Sequence, residues 1–261
     1  MPSEDRHFIL KLAETKAELI SAQRLRYRVF VTELGATGAT VDHVNRIEAD
    51  DFDRFYDHLL LIDRRRDPKC LDHVVGVYRL LRGKVALAGP GFYSAAEYDL
   101  DPLLRTGRSL LELGRSCVDS TIRGGVGMYL LWNALADYVQ VHKIDVMFGV
   151  ASYSGTDVTR IAQSLSYLHY HHLAPAGSRV RARDGHYQPL DLLPVEKVDR
   201  VAAMAQTPGL IKAYLRLGGV IGDGAYIDHD FNTTDVCLVM DTAKMSERHK
   251  SAYSRKSKVR T

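Results

Sequence analysis

Short apolar or alternating stretches run through the chain, separated by polar turns. A period of two places successive side chains on opposite faces of a strand, and a short continuous apolar run fits a buried strand. A charged turn around Asp67-Pro68 joins two such stretches, which predicts an antiparallel hairpin. The predicted strands are residues 8–12, 58–63, 74–81, 110–118, 146–151, 179–183 and 234–241.

Apolar residues near helical spacing predict the helices between these strands. Thr15, a residue type favoured at N-caps, precedes the first of them. The predicted helices are residues 16–34, 126–142, 157–172, 198–205 and 208–217. This order of strands and helices predicts an α/β fold with a mixed sheet. Since no long linker interrupts it, residues 1–243 are expected to form a single domain, followed by a tail at residues 244–261.

The composition is that of a globular protein, because 46% of the 261 residues are hydrophobic. Cys70, Cys117 and Cys237 are odd in number and lack CxxC spacing, which argues against a disulfide framework or a zinc site. No run approaches the roughly 20 apolar residues of a spanning helix, and the N-terminus lacks the pattern of a signal peptide. We therefore expect a cytoplasmic protein whose membrane contact would be peripheral.

The net charge of +3 is unevenly distributed along the chain. Residues 244–261 carry seven basic residues and one acidic residue, a local charge of +6, which leaves −3 for residues 1–243. Such a tail either steers the chain to an acidic protein or an anionic membrane, or is a disordered solubilising end. The rest of the chain has no basic stripe with interleaved aromatic residues, so nucleic acid is not an expected partner.

A glycine-rich stretch, Arg123-Gly124-Gly125-Val126-Gly127, stands between a predicted strand and a predicted helix. A helix N-terminus presents unpaired N–H groups to phosphate, and glycines let the backbone approach closely. Neither a Walker loop nor GxGxxG is present. The stretch is therefore either a binding loop for a diphosphate or phosphopantetheine, or a tight turn.

The strand at residues 110–118 carries Glu112 and Arg115, with Gly114 between them. Three residues apart, they would face opposite sides of a regular strand. A glycine inside a strand is typical of a β-bulge, which would turn both charges toward one side beside a ligand. The alternative is an edge strand with two solvated charges.

The order strand, helix, hairpin, strand, glycine loop and helix resembles the GNAT acyltransferase fold, a mixed, mostly antiparallel sheet flanked by helices. The N-terminal half resembles the acyl-homoserine lactone synthases in LRYRVF, EADDFD, GVYRLL and ELGR. The matching positions are Arg26, Phe30, Glu48, Asp50, Asp53, Arg79, Glu112 and Arg115. Those synthases have a tryptophan after Leu-Gly where this chain has Ala36, which argues against S-adenosylmethionine as a substrate.

The segment PGLIKAYLRLGGVIGDGAYIDHDFNTTDVCLV, residues 208–239, resembles the ornithine-acyl-ACP N-acyltransferases, and this resemblance spans nearly the whole chain. It implies a GNAT-like core over about residues 8–175 and an α/β extension over residues 176–243. It also implies transfer of a 3-hydroxyacyl chain to the α-amine of L-ornithine, giving lyso-ornithine lipid. The donor would be the thioester on acyl-carrier protein, with no tightly bound cofactor and no metal.

The resemblance implies roles for the catalytic residues. Only a free amine attacks a thioester, so a general base is needed, and Glu112 would serve directly or through water. Arg115 would complete the catalytic pair, and either Arg79 or Arg115 would bind the carboxylate of the substrate.

The resemblance also implies the binding residues. The donor loop would consist of Arg123, Gly124, Gly125, Val126 and Gly127. The substrate site would consist of Arg26, Phe30, Glu48, Asp50, Asp53 and Arg79.

Several alternatives stay open from the residues themselves. The acidic run at residues 48–53 either receives the δ-ammonium of ornithine or pairs with Arg24, Arg26 and Arg28 to hold its loop over the site. A covalent route through Ser116 or Cys117 is a minor alternative.

The run His169-Tyr170-His171-His172 has no metal-ligand spacing and fits a helix C-terminus.

The alternative functions are acylation of glutamine, synthesis of a lactone signal, and non-catalytic binding of acyl-carrier protein or membrane.

Overall fold

A computed structural model describes residues 7–123 and 126–244. Within these ranges the chain forms two compact units, the first of residues 7–90 and 113–143 and the second of residues 91–112 and 144–244. The strand Leu110–Val118 therefore begins in the second unit and ends in the first. The single domain expected over residues 1–243 stays a prediction. Residues 245–261 of the basic tail lie outside the described residues.

The described residues form thirteen strands and seven α-helices. The strands are β1 Phe8–Leu12, β2 Val41–Asp42, β3 Ile47–Glu48, β4 Asp57–Asp63, β5 Val74–Arg82, β6 Tyr98–Asp99, β7 Leu110–Val118, β8 Val146–Ser154, β9 Arg181–Ala182, β10 Tyr187–Gln188, β11 Val220–Ile221, β12 Ala225–Asp228 and β13 Thr233–Asp241. The α-helices are α1 Lys16–Arg26, α2 Gly83–Ala88, α3 Asp101–Leu104, α4 Val126–Val141, α5 Ala162–His172, α6 Arg200–Gln206 and α7 Gly209–Arg216.

The first unit is built on the strand order β1-β4-β5-β7, in which β4 pairs antiparallel with both β1 and β5. The predicted hairpin of β4 and β5 is therefore confirmed. Helix α1 begins at Thr15, whose hydroxyl accepts the N–H of Glu18 while the Glu18 carboxylate accepts the N–H of Thr15. This capping box confirms the predicted N-cap.

Helices α1 and α4 cover opposite faces of this sheet. Leu25 and Val29 pack with Val77 of β5. Gly76, the neighbour of Val77 along β5, faces α4, since a Cβ there would lie 2.9 Å from Leu131 Cδ1. Adjacent strand residues point to opposite sides, so the sheet is enclosed by a helix on each face. Glycine at position 76 lets α4 approach closely.

The helix predicted over residues 16–34 changes type partway along. Helix α1 ends at Arg26, and Tyr27–Glu33 continues as a π-helix, marked by the bond from the N–H of Leu34 to the carbonyl of Val29. Apolar spacing does not distinguish the two helix types over so short a segment, because one wider turn shifts the pattern by about one residue.

The second unit contains the strand order β8-β13-β12-β10, with β11 also paired to β13, and these pairs are antiparallel. Leu110–Glu112, the part of β7 in this unit, pairs in parallel with Val146–Phe148 of β8. The sheet is thus mixed and mostly antiparallel, as the sequence predicts.

The motif at residues 208–239 forms α7, β11, β12 and β13. Two of its glycines are required by packing. A Cβ on Gly222 would lie 2.8 Å from the carbonyl oxygen of Val180, and Gly224 has a φ of +74° with the ring of Tyr187 against it. The glycines of VIGDGAY are therefore explained by close packing of the chain.

Several further predicted elements differ in extent from those observed. The strand predicted at residues 179–183 is limited to Arg181–Ala182, which pairs with β6. The helix predicted from residue 157 opens with the 3₁₀ turn Val158–Ile161 and becomes α-helical at Ala162. The helix predicted at residues 198–205 is α6, and Asp199 caps it by accepting the N–H of Ala202.

All three cysteines lie in the described part and are free thiols, with Cys70 exposed and Cys117 and Cys237 buried. Over residues 7–123 and 126–244, no helix has the length and hydropathy needed to cross a bilayer.

Thr15→Ala removes the hydroxyl that caps α1, and we expect it to lower the free energy of unfolding by about 1 kcal/mol. Thr15→Ser keeps the hydroxyl and serves as the control, with an expected change within about 0.5 kcal/mol. Urea unfolding followed by circular dichroism measures both values. Equal losses in the two variants would contradict the capping role.

Candidate active site

Six charged residues of the first unit form a buried ring in which cations and anions alternate. They come from α1, β3 and the loop after it, β5, and β7. In order around the ring they are Arg26, Glu48, Arg115, Asp50, Arg79 and Asp53. We call this set the arginine–carboxylate ring. All six belong to the charged pattern that resembles the lactone synthases.

Two fully buried arginines hold the acids of the ring. Arg26 Nε lies 2.5 Å from Glu48 Oε2, and Arg26 Nη1 lies 2.6 Å from Asp53 Oδ1. Arg79 Nη1 lies 2.7 Å from Asp50 Oδ1 and 2.7 Å from Asp53 Oδ1. Asp53 therefore joins the two guanidinium groups. Since burial of an unpaired charge is very costly, this alternation is what allows six charges to lie in the interior.

Arg115 closes the ring from β7. Its Nε donates to Glu48 Oε1 at 3.1 Å, and its Nη2 lies 3.6 Å from Asp50 Oδ2. Its φ is +49°, in the left-handed region that residues other than glycine rarely adopt. The strand irregularity predicted at Gly114 is therefore found one residue later. The Arg115 side chain is 15% exposed, so the alternative of a solvated edge-strand charge is wrong.

Burial and charge oppose each other in the acids of the ring. Burial alone would raise the pKa of Glu48, but the guanidinium groups of Arg26 and Arg115 outweigh it and hold that pKa below its ordinary value. Asp53 behaves in the same way, with Arg26 and Arg79 lowering its pKa against burial. Both carboxyls are thus ionised at neutral pH, and the ring is held by charge as well as by hydrogen bonds.

The acidic run at residues 48–53 therefore pairs with arginines, as one of its two interpretations predicts. The expected partner Arg26 is confirmed. The expected partners Arg24 and Arg28 are wrong, because Arg24 Nη1 donates to the carbonyl of Cys70 and Arg28 Nη2 lies 3.3 Å from Asp119 Oδ2. Arg79 and Arg115 take their places.

Phe30 contributes an apolar contact. It packs against the cluster of buried residues that includes Leu25, Leu60 and Cys117. Its assignment to the substrate site stays a prediction. Cys117 is 4% exposed, and burial raises the pKa of its thiol to about 12. Such a thiol is a poor nucleophile at neutral pH, which disfavours the covalent route.

Glu112 lies in the second unit and is 1% exposed. Its Oε2 accepts the N–H of Tyr93 at 2.9 Å, and its Oε1 accepts the N–H of Ser94 at 2.6 Å. Phe92, which precedes this turn, packs edge to face on Phe148, the residue opposite Glu112 in the register of β7 and β8. The carboxylate is therefore fixed in one orientation, which a general base requires.

The glycine stretch is described in part. Gly124 and Gly125 lie outside the described residues, and Val126 begins α4. Arg123 Nη2 lies 2.7 Å from Glu33 Oε2. A Cβ on Gly127 would lie 2.8 Å from Ile122 Cδ1, so packing by itself favours glycine there. Phosphate binding by this stretch stays a prediction.

Two features of the site escaped sequence reasoning. The backbone N–H groups of Tyr93 and Ser94 that hold Glu112 carry no side-chain signal. The buried carboxylate of Asp119 pairs with two arginines: its Oδ2 lies 3.3 Å from Arg28 Nη2 and 3.2 Å from Arg66 Nη1. Its place before a turn could have indicated a cap, which it forms with the N–H of Thr121.

Three carboxyl groups of the second unit, those of Glu97, Asp228 and Asp235, offer oxygens within 4.8 Å of one another. Oxygen ligands of this kind suit Ca²⁺ or Mg²⁺. Acidic groups of this kind are common without an ion, and we assign no metal. The histidine run lies in the last turn of α5, as predicted.

Asp53→Asn removes the charge shared by Arg26 and Arg79, and we expect it to lower the free energy of unfolding by about 3 kcal/mol. Asp51→Asn is the matched control, since Asp51 is exposed in the same run, and its expected change is within about 0.5 kcal/mol. Urea unfolding at pH 7 measures both. Equal effects would contradict the ring as a stabilising unit.

The same ring predicts the response to acid. Because the pKa values of Glu48 and Asp53 are lowered on folding, their contribution is complete above the ordinary carboxyl pKa of about 4 and is lost as the pH falls below it. We expect the wild-type chain to lose stability more steeply between about pH 5 and pH 2 than Asp53→Asn. Equal slopes of the free energy of unfolding against pH in the two proteins would show that Asp53 does not cause the loss.

Comparison with known proteins was decisive for the family. The family model for the acetyltransferase (GNAT) domain matches residues 25–133. An L-ornithine N(alpha)-acyltransferase of Rhodobacter capsulatus is 56% identical over 247 residues, which cover 95% of this chain and 95% of the relative. An L-ornithine N(alpha)-acyltransferase of Brucella abortus is 43% identical over 246 residues, which cover 94% of this chain and 88% of the relative.

Solved structures share the fold. An N-acyl amino acid synthase from uncultured soil microbes matches with a TM-score of 0.54 and 11% identity, over 94% of this chain and 96% of that chain. A CoA-dependent acyl-homoserine lactone synthase matches with a TM-score of 0.50 and 15% identity, over 91% of this chain and 81% of that chain. The predicted GNAT-like fold is confirmed. The identity with the curated relatives along nearly the full length shows more than fold: this chain is an acyltransferase and belongs to the L-ornithine N(alpha)-acyltransferase family.

Proposed function

We propose that this enzyme transfers a 3-hydroxyacyl group from acyl-carrier protein to the α-amine of L-ornithine, giving lyso-ornithine lipid. The amine nitrogen attacks the thioester carbon, the carbon–sulfur bond breaks, and the carrier leaves as its thiol. The ammonium group of the substrate must lose a proton before it attacks. The observation that carries this proposal is the likeness to ornithine acyltransferases along nearly the whole chain.

Glu112 is the proposed general base. Its fixed carboxylate supports this role, because both oxygens are oriented by backbone N–H groups. Glu112 is 1% exposed, which favours proton transfer from the substrate amine through a bridging water over direct transfer. The alternative is that Glu112 only positions the turn at Tyr93–Ala96.

The arginine–carboxylate ring is proposed to act on the substrate through Arg115. Arg26 and Arg79 are fully buried between acids, which supports a positioning role for them. Arg115 is the ring arginine with a partly exposed side chain, at 15%, and its guanidinium suits the ornithine carboxylate. In this proposal Glu48, Asp50 and Asp53 serve the substrate site indirectly by fixing the arginines.

The donor loop is proposed to be the stretch from Arg123 to Gly127. The position of Val126 at the start of α4, a helix of 16 residues, supports it, because helix N-termini favour phosphate. The ion pair of Arg123 with Glu33 holds the first residue of the loop in place. In this proposal the phosphopantetheine is attached to acyl-carrier protein.

Mass spectrometry tests the reaction. The purified enzyme is incubated with 3-hydroxyacyl-carrier protein and, in separate reactions, with L-ornithine, L-lysine, L-glutamine and S-adenosylmethionine. N-acyl-ornithine as the main product supports the proposal. If acyl-glutamine is the main product, the amino-acid substrate is glutamine and not ornithine. If an acyl lactone forms, the enzyme is a signal synthase. No product with any acceptor would indicate a binding protein.

Glu112→Gln removes the proposed base, and we expect kcat to fall by about 100-fold or more. A base acts only in the proton-transfer step, so we expect kcat to carry this loss while KM for L-ornithine stays within about 3-fold of wild type. Steady-state kinetics at a fixed pH of about 8 measure both constants.

Phe92→Leu is the control for the Glu112 variant. It disturbs the turn held by Glu112 through the loss of the contact with Phe148 but leaves the carboxylate in place. We expect it to change KM for L-ornithine together with kcat, because a displaced turn alters binding as well as the chemical step. If Glu112→Gln also changes KM and kcat together, Glu112 positions the turn and is not the base.

A further inference from the structure

A group of cations lies on the first unit outside the arginine–carboxylate ring. Three belong to the turn between β4 and β5, two to α1 and the π-helix after it, and one is the first residue of the proposed donor loop. They are Arg64, Arg66, Lys69, Arg24, Arg28 and Arg123. We call them the basic surface.

Side-chain bonds of Arg24, Arg28 and Arg66 connect the elements that carry these cations. Arg24 Nη1 donates to the carbonyl of Cys70, which ties the helix to the turn. Arg66 and Arg28 both reach Asp119 Oδ2, at 3.2 Å and 3.3 Å, which ties the turn to the segment that leads into α4. The region therefore connects the β4–β5 turn with the approach to the donor loop.

The surface extends to the donor loop through Arg123. Arg123 pairs with Glu33, at the end of the π-helix that carries Arg28. Its side chain is 49% exposed and that of Arg28 is 36% exposed. Both guanidinium groups are thus partly exposed to solvent, and Arg123 stands three residues before Val126, where α4 begins.

The charge of this surface contrasts with that of the rest of residues 1–243. Arg65 of the same turn is paired with Asp63, and the six cations stand against four other acids, Glu33, Asp67, Asp72 and Asp119, which leaves +2. Residues 1–243 together carry −3. Asp119 is shared by Arg28 and Arg66, so one negative charge stands against two positive charges. Arg24 is hydrogen-bonded to a backbone carbonyl, which carries no formal charge. A positive region on a negative body attracts and orients an acidic partner.

We propose that the basic surface is the docking site of the acyl-carrier protein that delivers the acyl thioester. The inference rests on the proposed function, since it assumes that donor. Acyl-carrier protein is acidic, so the charges are complementary. Docking beside Arg123 places the phosphopantetheine arm at the start of α4, where the donor loop is proposed. An anionic membrane is the competing occupant, and it would not deliver the thioester to this point.

The test variant is the double charge reversal Arg64→Glu/Lys69→Glu. Both side chains are exposed in the turn, so the fold should be retained, and thermal unfolding confirms it. The matched control is Lys197→Glu/Arg200→Glu, two exposed cations of the second unit, one in the turn before α6 and one at its first residue. Kinetics are measured with two donors that carry the same acyl chain, acyl-carrier protein and acyl-pantetheine.

We expect the variant to raise KM for acyl-carrier protein by about 10-fold, because two attractive charges become repulsive. Its kcat and its KM for acyl-pantetheine should stay within about 2-fold of wild type, as should every value of the control. Raising NaCl from about 50 to about 200 mM should raise the wild-type KM for acyl-carrier protein and narrow its difference from the variant.

Two kinetic outcomes would overturn the docking site. One is an unchanged KM for acyl-carrier protein, and the other is an equal change with both donors. If vesicles of phosphatidylglycerol bind the wild type but not the variant while KM for acyl-carrier protein is unchanged, the surface meets a membrane instead.

Failure of the proposed function is a separate result. If the wild type forms no product with either donor, the proposed reaction is wrong. The docking site is then tested separately, by measuring the binding of holo-acyl-carrier protein by calorimetry. Weaker binding by the variant than by the control supports the site, and equal binding overturns it.

Discussion

The alternation of charge in the arginine–carboxylate ring is the constraint on which the first unit depends. A single buried guanidinium or carboxylate would be strongly destabilising, whereas three of each in alternation compensate one another. The members come from α1, from the segment around β3, and from β5 and β7. Burying them together therefore fixes a helix, a loop and two strands at once.

The same constraint explains the irregular backbone of β7. Arg115 has a φ of +49°, a conformation that costs energy for a residue with a side chain. Its bonds to Glu48 and Asp50 hold it there. Three residues earlier on β7, Glu112 is held by the N–H groups of Tyr93 and Ser94. One strand thus supplies two charged groups whose orientations are set by different neighbours.

Arginine serves two purposes in this chain, and burial separates them. Arg26 and Arg79 are buried among acids, where planar guanidinium groups contact several carboxylates and hold the fold. Arg28 and Arg123 are partly exposed and keep their charge near the surface, where it can attract a partner. Arg26 and Arg28 are only two positions apart, yet they belong to different networks.

The sequence by itself determined most of the longer strands and helices and indicated the family. The strands β1, β5, β7 and β13, the helix α4 and the cap at Thr15 follow from local periodicity and local hydrogen-bonding chemistry, which a short window of residues contains. The motif at residues 208–239 indicated the ornithine acyltransferases, and seven charged positions were recognised as belonging to one pattern, six of which form the ring.

Only the tertiary structure decided which charges meet. Arg26, Glu48 and Arg115 are distant along the chain, and no local rule distinguishes Arg26, which pairs with the acidic run, from Arg24 and Arg28, which do not. The same holds for Gly127, whose missing side chain is explained by the packing of Ile122. Pairing of buried charges depends on how several elements pack around them, because the cost of burial is relieved only by neighbours that folding brings together.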